Sequence, residues 1–259
     1  MTELDLTQYD ELQVEQMKLG LEQGLDISVY VKPEFDYEQM KQIRLGLEEG
    51  FDVSVYAKPE FDYEQMYQIR WGLEDGLDVL LYAKPCFSSG QMQALRDGLK
   101  LGLDIGYYLN PSFSQQQIYV INSGLYYGVD VRVYADPRID YRQMAEIREG
   151  LNSGVNVGIY RKPEYNFSQM RQIRLGLEHG VDVSVYAKPE FDEEQMQEIR
   201  FGLESFIDTS VYAKPEFDSG QMYLIRGGLE KGLDPSEFAK PEYDYVKMWG
   251  IRDGFYVGD

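Results

Sequence analysis

The sequence predicts an all-α fold: a right-handed αα solenoid of about ten 26-residue units, each with a long helix and a short one. Three observations carry the prediction. The first is a period without insertions. Glycine recurs every 26 residues from Gly20 through Gly46 and Gly72 to Gly254, and proline keeps the same spacing from Pro33 to Pro241. A fixed period of this length marks a repeat architecture, in which each unit buries its apolar face against its neighbours. The second is a helix signature written into every unit. The third is a proline substitution inside one unit that tests what the shorter segment can be. The register predicts a single elongated array over residues 1–259, with units beginning near residues 9, 35, 61, 87, 113, 139, 165, 191, 217 and 243. Adjacent helices sit about 8 to 10 Å apart, so such an array would be on the order of 80 to 100 Å long. Met1 to Gln8 reads as a polar lead, and the last unit is cut short after Gly254, so atypical sequence or another molecule is expected to cap the ends.

The long helix comes first in each unit. In the stretch from Phe35 to Glu60, Asp36 followed by Gln39 forms a capping box, and Phe35 and Met40 stand where a hydrophobic staple closes over the helix start. Asp10, Asp62, Ser88, Ser114, Asp140, Asn166, Asp192, Asp218 and Asp244 hold the same cap position, each able to accept from a first-turn N–H. Met40, Ile43 and Leu47 follow on one stripe, while Glu38, Lys41, Gln42, Glu48 and Glu49 fall elsewhere, which describes an amphipathic helix of about three turns. Gly50 suits the left-handed position that ends a helix, and Phe206 in that slot predicts a turn that is strained or different. Gly46, inside the helix, costs about 1 kcal/mol against alanine. The expected return is close packing of neighbouring long helices along that edge. Arg44 recurs as Lys18, Arg70, Arg96, Arg148, Arg174, Arg200, Arg226 and Arg252, and Asp52 recurs almost as often, so a ladder of arginine–carboxylate pairs between units is expected.

The short segment, DVSVYAKP, has two readings: Val53 and Val55 alternate as in a strand, whereas Val53, Tyr56 and Ala57 recur as in a helix. Unit nine substitutes Asp234, Pro235, Ser236 and Glu237, the pattern of a helix N-cap with proline at the first helical position. A strand inside a parallel sheet tolerates such a proline poorly. A short helix of one to two turns is therefore expected, with an α/β solenoid carrying a strand at Asp52 to Tyr56 as the alternative.

Composition narrows the function classes. Lys and Arg number 25 against 45 Asp and Glu, a formal charge of −20. Such a surface repels nucleic acid and membranes and attracts basic partners. No direct nucleic-acid or membrane contact is expected, and the oligomeric state is left open. The one cysteine, Cys86, allows no intramolecular disulfide, and the one histidine, His179, has no nucleophile motif around it. The glycines follow the repeat and form no phosphate-binding loop. Paired carboxylates such as Glu48 and Glu49, or Glu74 and Asp75, recur at helix ends and read as a solvated charged face. The expectation is a protein that is not an enzyme, with no cofactor and no metal. Met1-Thr-Glu-Leu-Asp lacks the basic start of a signal peptide and no apolar run approaches membrane-spanning length, so a cytoplasmic location is expected.

Shared positions build a repeat frame, so individuality sits where the units disagree. They disagree most at the equivalents of Tyr37, Lys41 and Leu45, four apart along one helix face. Unit three carries Tyr63, Tyr67 and Trp71 there; others offer Tyr119, Leu175, Phe201, Tyr223, Tyr245 and Trp249. Aromatic residues on a charged surface are candidate partner-binding hot spots. From Lys84 to Gly128 the acidic residues thin out and Tyr107, Tyr108, Tyr119, Tyr126 and Tyr127 crowd together, followed by Arg132, Arg138 and Arg142. This reads as a tyrosine-rich recognition saddle between two acidic arms, which Glu48, Glu49, Glu74 and Asp75 exemplify, or else as a decayed pair of units.

The phrase QMxxIRxGLExGxDVSVYAxPEF, carried by Gln39 to Phe61, Gln169 to Phe191 and most of Gln195 to Phe217, resembles an uncharacterised class of tandem repeats in proteins of mobile elements and phages of anaerobic gut bacteria. The likeness covers nearly the whole chain and departs most over Ser88 to Tyr127. It brings no catalytic residues. It implies a genomic setting in which counter-defence proteins are common. The resulting expectation is an acidic solenoid that blocks a bacterial nucleic-acid-handling protein, such as a CRISPR effector or restriction enzyme, by occupying its basic channel. The alternative is a scaffold or adaptor for a peptide or protein. Duplex DNA carries about six charges per 10 Å, against about two net per unit here, so aromatic contacts would have to supply much of the affinity.

Overall fold

The structure, a computed structural model, describes residues 6–254, so the ends discussed above at Met1 to Asp5 and Phe255 to Asp259 lie outside the described residues. Two compact units divide the chain, Met1–Arg138 and Ile139–Asp259. The first holds α1 (Glu11–Glu22), α2 (Tyr37–Glu48), α3 (Tyr63–Glu74), α4 (Ser89–Lys100) and α5 (Gln115–Tyr126). The second holds α6 (Tyr141–Asn152), α7 (Phe167–Glu178), α8 (Glu193–Glu204), α9 (Ser219–Glu230) and α10 (Tyr245–Arg252). Within each unit, consecutive helices pack side by side, and a one-turn 3-10 helix such as Val53–Val55 packs against the long helix before it. The described residues contain helices and no strand, so the helical-repeat reading stands and the α/β alternative does not. Asp52 caps its short helix by accepting from Ser54 N–H, and Pro235 opens the corresponding helix of unit nine, as its sequence requires.

The capping box forms as the sequence predicts in α1 to α9. In α10 the third helical residue is Lys247, whose side chain cannot accept, and only Asp244 contributes. The glutamine of each box also joins successive repeats. Gln39 Oε1 accepts from the Asp36 N–H at 2.8 Å while its Nε2 donates 2.6 Å to the carbonyl of Phe61, the staple residue of the next repeat. Gln65 does the same toward Phe87 and Gln195 toward Phe217. Phe35, Met40, Ile43 and Tyr56 are all fully buried, with Val53 close behind, and this set repeats as the core. The helices end in Schellman motifs: Phe51 N–H donates to Gly46 carbonyl and Gly50 N–H to Leu47 carbonyl, with Gly50 at φ 78°. Phe206 completes the same pair of bonds at φ 58°, the one side-chain-bearing residue at positive φ among those described.

Three expectations need correction. The helix glycine does not serve packing between long helices. A Cβ on Gly46 would lie 1.9 Å from the Tyr56 hydroxyl and 2.9 Å from Val53 Cγ1, so the glycine makes room for the tyrosine of its own repeat. That hydroxyl donates 3.2 Å to the carbonyl of Gln42, one turn back along the helix. The second correction concerns Gln42, which lies off the apolar stripe in the sequence reading and is nevertheless buried. Arg70 Nε donates to its Oε1 at 3.3 Å, and Arg44 and Arg200 reach Gln16 and Gln172 in the same way. The third concerns the carboxylates of the ladder. Asp52 is occupied as a cap, and the arginines use helix-end and mid-helix acids instead: Arg44 with Glu48, Arg70 with Glu49, Arg174 with Glu146 and Glu178, Arg226 with Glu198 and Glu230.

Candidate functional site

A surface site on this frame must come from side chains that the ladder, caps and core leave over. The pairing of Glu48 with Arg44 and of Glu49 with Arg70 removes both from the freely solvated face expected of them, since each carboxylate is committed to a buried guanidinium. Asp75 accepts from Lys100 Nζ at 2.6 Å, and Glu74 stays exposed beside it. The acidic surface therefore carries fewer uncommitted carboxylates than the formal charge suggests.

Tyr63, Tyr67 and Trp71 lie along one face of α3, spaced four apart so that they share a side. Tyr63 is 42% and Trp71 39% exposed, and Tyr67 is half-buried. The Tyr67 and Trp71 rings meet at 4.6 Å between centroids with a 39° tilt, an arrangement favourable for two aromatic rings. Arg96 of α4 lays its guanidinium 5.1 Å from the Trp71 centroid. Its Nη1 donates to Gln68 Oε1 and its Nη2 to Asp97 Oδ1 at 3.2 Å, its Nε is buried with no acceptor, and the indole face adds a cation–π contact. Around this row are two hollows. One, of about 450 Å³, is a trough across α2, α3 and α4 that includes Glu38, Tyr63, Glu64, Tyr67, Gly90 and Gln93. The other, of about 300 Å³, is lined by Trp71, Glu74, Asp75 and Lys100.

The tyrosine-rich segment does not converge on one saddle. Tyr108 is fully buried and offers no surface to a partner, because it occupies the core slot of Tyr56; its hydroxyl donates to Asn122 Oδ1, and Asn122 Nδ2 donates 2.8 Å to the Ala94 carbonyl. Asn122, standing where the other repeats have arginine or, in the first, Lys18, thus replaces a ladder rung by a buried amide bridge. Tyr119 is exposed and donates 3.1 Å to Asp97 Oδ2. Tyr126 and Tyr127 are exposed at the end of α5, edge to face at 5.2 Å, and Tyr107 lines a separate hollow with Gly128 and Arg132. In the second unit Leu175 is half-buried, and Phe201 is held between the guanidiniums of Arg200 and Arg226 at 4.5 and 5.6 Å.

Sequence reasoning overlooked Glu38, Glu64, Gly90 and Gln93 as partners of the α3 aromatics. The signal was present in Gly90, which stands where Glu38 and Glu64 stand in the two preceding repeats, with the Gln115 side chain in the space its Cβ would take. Among the described residues no group of three or more His, Cys, Asp or Glu could hold a metal ion, and no helix is long and apolar enough to cross a membrane. Comparisons of the chain with protein-family models, curated proteins and solved structures give no match.

Proposed function

We propose that this is a non-enzymatic, cytoplasmic binding protein whose acidic repeats engage a basic, nucleic-acid-handling protein of a bacterial host and obstruct its channel. The observation that carries the reading is the row Tyr63, Tyr67 and Trp71 on α3, exposed at Tyr63 and Trp71 and half-buried at Tyr67, at positions where the repeats differ, set among the carboxylates of Glu38, Glu64 and Glu74. Aromatic anchors with an acidic rim suit a basic protein surface, the anchors supplying affinity and the rim supplying steering. The formal charge of −20 supports the sign of the partner. The resemblance of the repeat phrase to those of mobile elements and phages supports a counter-defence role such as inhibition of a CRISPR effector or restriction enzyme. The internal pairing of Glu48 and Glu49 argues against simple imitation of DNA charge, since those carboxylates already face arginines.

The test is capture on the immobilised full-length protein from a lysate of a gut anaerobe, with stepwise salt elution and identification of what is released. The expected result is a basic nucleic-acid-binding protein that leaves the column as salt rises. Retention of a partner without a basic groove at high salt would refute this reading in favour of a general peptide-binding scaffold, for which the stacked Tyr67 and Trp71 pair is the supporting feature.

A further inference from the structure

The trough across α2, α3 and α4 has a chemistry more specific than an acidic patch. The rings of Tyr63 and Tyr67 line it; Glu38 and Glu64, from successive helices, supply carboxylates; and on the α4 side Gly90 adds no third carboxylate, the Gln115 side chain packing against it so that a Cβ there would lie 2.5 Å from Gln115 Oε1. Glu64 is oriented from two directions, Oε2 accepting from Ser89 Oγ at 2.9 Å and Oε1 from the Tyr63 hydroxyl at 3.4 Å. Glu38 has Lys41 Nζ at 3.8 Å, an exposed contact that another cation can replace at little cost. The field in the trough is negative: the charge of Glu64 first, then desolvation, a hydrogen bond to Glu64 and the charge of Glu38 all hold the Tyr63 phenol above its ordinary value.

The second unit contains a partial copy of this arrangement. There Ser219 donates 2.9 Å to Glu194 Oε2 beside Gly220, repeating Ser89, Glu64 and Gly90, but Glu193 and Gln197 stand in place of Tyr63 and Tyr67. The acid, the serine and the glycine therefore recur without the rings. What sets the first trough apart is an aromatic surface against two carboxylates, which is the requirement for a planar cation that stacks on one face and hydrogen-bonds at its edge.

We propose that this trough is the seat of an arginine side chain presented by a basic segment of the partner protein, the guanidinium lying on the Tyr67 and Tyr63 rings and bonding Glu38 and Glu64. The inference rests on the proposed engagement of a basic protein and names the residue type and the place. Lysine, a compact ammonium with no planar face, gains less from the rings.

Titration calorimetry of the full-length protein with hexa-arginine and hexa-lysine peptides tests it. Wild type is expected to bind hexa-arginine more tightly than hexa-lysine. Glu38→Gln with Glu64→Gln should weaken hexa-arginine by about fivefold or more, and Tyr67→Ala by about threefold or more, while Tyr67→Phe keeps the ring and the affinity. Glu194→Gln, which removes the matching charge from the partial copy, should change affinity by less than about twofold. Circular dichroism of each variant establishes that the fold is intact; if Tyr67→Ala does not fold, the paired glutamine variant, which removes only exposed or half-exposed carboxylates, decides the question. Equal binding of hexa-arginine by the trough variants and wild type overturns the site and leaves the basic-partner reading standing. No binding of either peptide by wild type overturns both.

Discussion

Replacing a helix glycine by alanine separates the role found for it here from its helix propensity, and Gly72 in α3 is the informative position. On propensity alone Gly72→Ala should stabilise by about 1 kcal/mol. The new Cβ, however, would sit 1.9 Å from the Tyr82 hydroxyl and 2.7 Å from Val79 Cγ1, and Tyr82 is fully buried. Overpacking of this kind costs about 1 to 3 kcal/mol, and expulsion of the hydroxyl from its 3.2 Å bond to the Gln68 carbonyl forfeits about 0.5 to 1.5 kcal/mol more. The balance is a loss of about 0.5 to 3.5 kcal/mol. Gly227 in α9 is the control, because a Cβ there would meet only Arg252 Nη1 at 3.6 Å, an ordinary contact. Gly227→Ala should therefore stabilise by up to about 1 kcal/mol. Urea unfolding followed by far-UV circular dichroism gives both shifts in midpoint at unchanged slope. If Gly72→Ala proves as stable as wild type or more so, the tyrosine seat is not what the glycine is for.

Other perturbations have equally definite outcomes. Phe206→Gly should raise stability by about 1 kcal/mol, because left-handed strain is relieved at some cost in unfolded-chain entropy, and a side chain 97% exposed has no burial to lose; a destabilised variant in thermal melts would contradict this. Arg200→Met should destabilise by roughly 2 kcal/mol by leaving Glu204 and the half-buried Gln172 without their guanidinium, and a neutral result in urea would mean the ladder is ornamental. Burial pushes the Glu204 carboxyl up, but hydrogen bonds from His179 and Arg200 and their charges outweigh it and leave it below the ordinary value of 4.5. Its folded-state pKa is depressed, so its contribution is complete above pH 4.5 and fades as pH falls further, and Arg200→Met should flatten that part of the acid-unfolding curve. At the alkaline end burial pushes Tyr30 up from 10.0 to about 12 and raises Tyr56 and Tyr82 as well. Folding favours the neutral phenol, so stability is intact below pH 10.0 and is lost as pH rises toward 12. Spectrophotometric titration should show the core tyrosines ionising only as the helices melt, and ionisation of all tyrosines near 10.0 with helicity retained would refute it.

Local chemistry made the fold readable. Asp36 with Gln39 specifies a helix start, Gly50 its end, and Pro235 decides helix over strand, because each acts through backbone groups within a few residues of itself. Relations across the repeat were harder to read. The second hydrogen bond of Gln39, to the Phe61 carbonyl, and the arm of Arg70 onto buried Gln42 depend on how helices stack, which periodicity does not report. Gly46 is legible in the sequence as a cost to the helix, but a missing side chain does not say which neighbour fills the space, here Tyr56. At the surface, the α3 aromatics were visible as departures from the repeat, whereas Tyr108 looked like one of a crowd and is core. Position within the repeat was the better guide: Tyr108 aligns with Tyr56, and Tyr107 does not.

The most direct test of the function argued here is competition. With a captured partner purified, its affinity for the full-length protein can be measured by calorimetry with and without duplex DNA bound to that partner. Obstruction of a nucleic-acid channel predicts mutual exclusion, the apparent affinity falling in step with DNA occupancy and recovering when the DNA is digested. A ternary complex in which the protein binds as tightly to the DNA-loaded partner as to the free one would contradict the account.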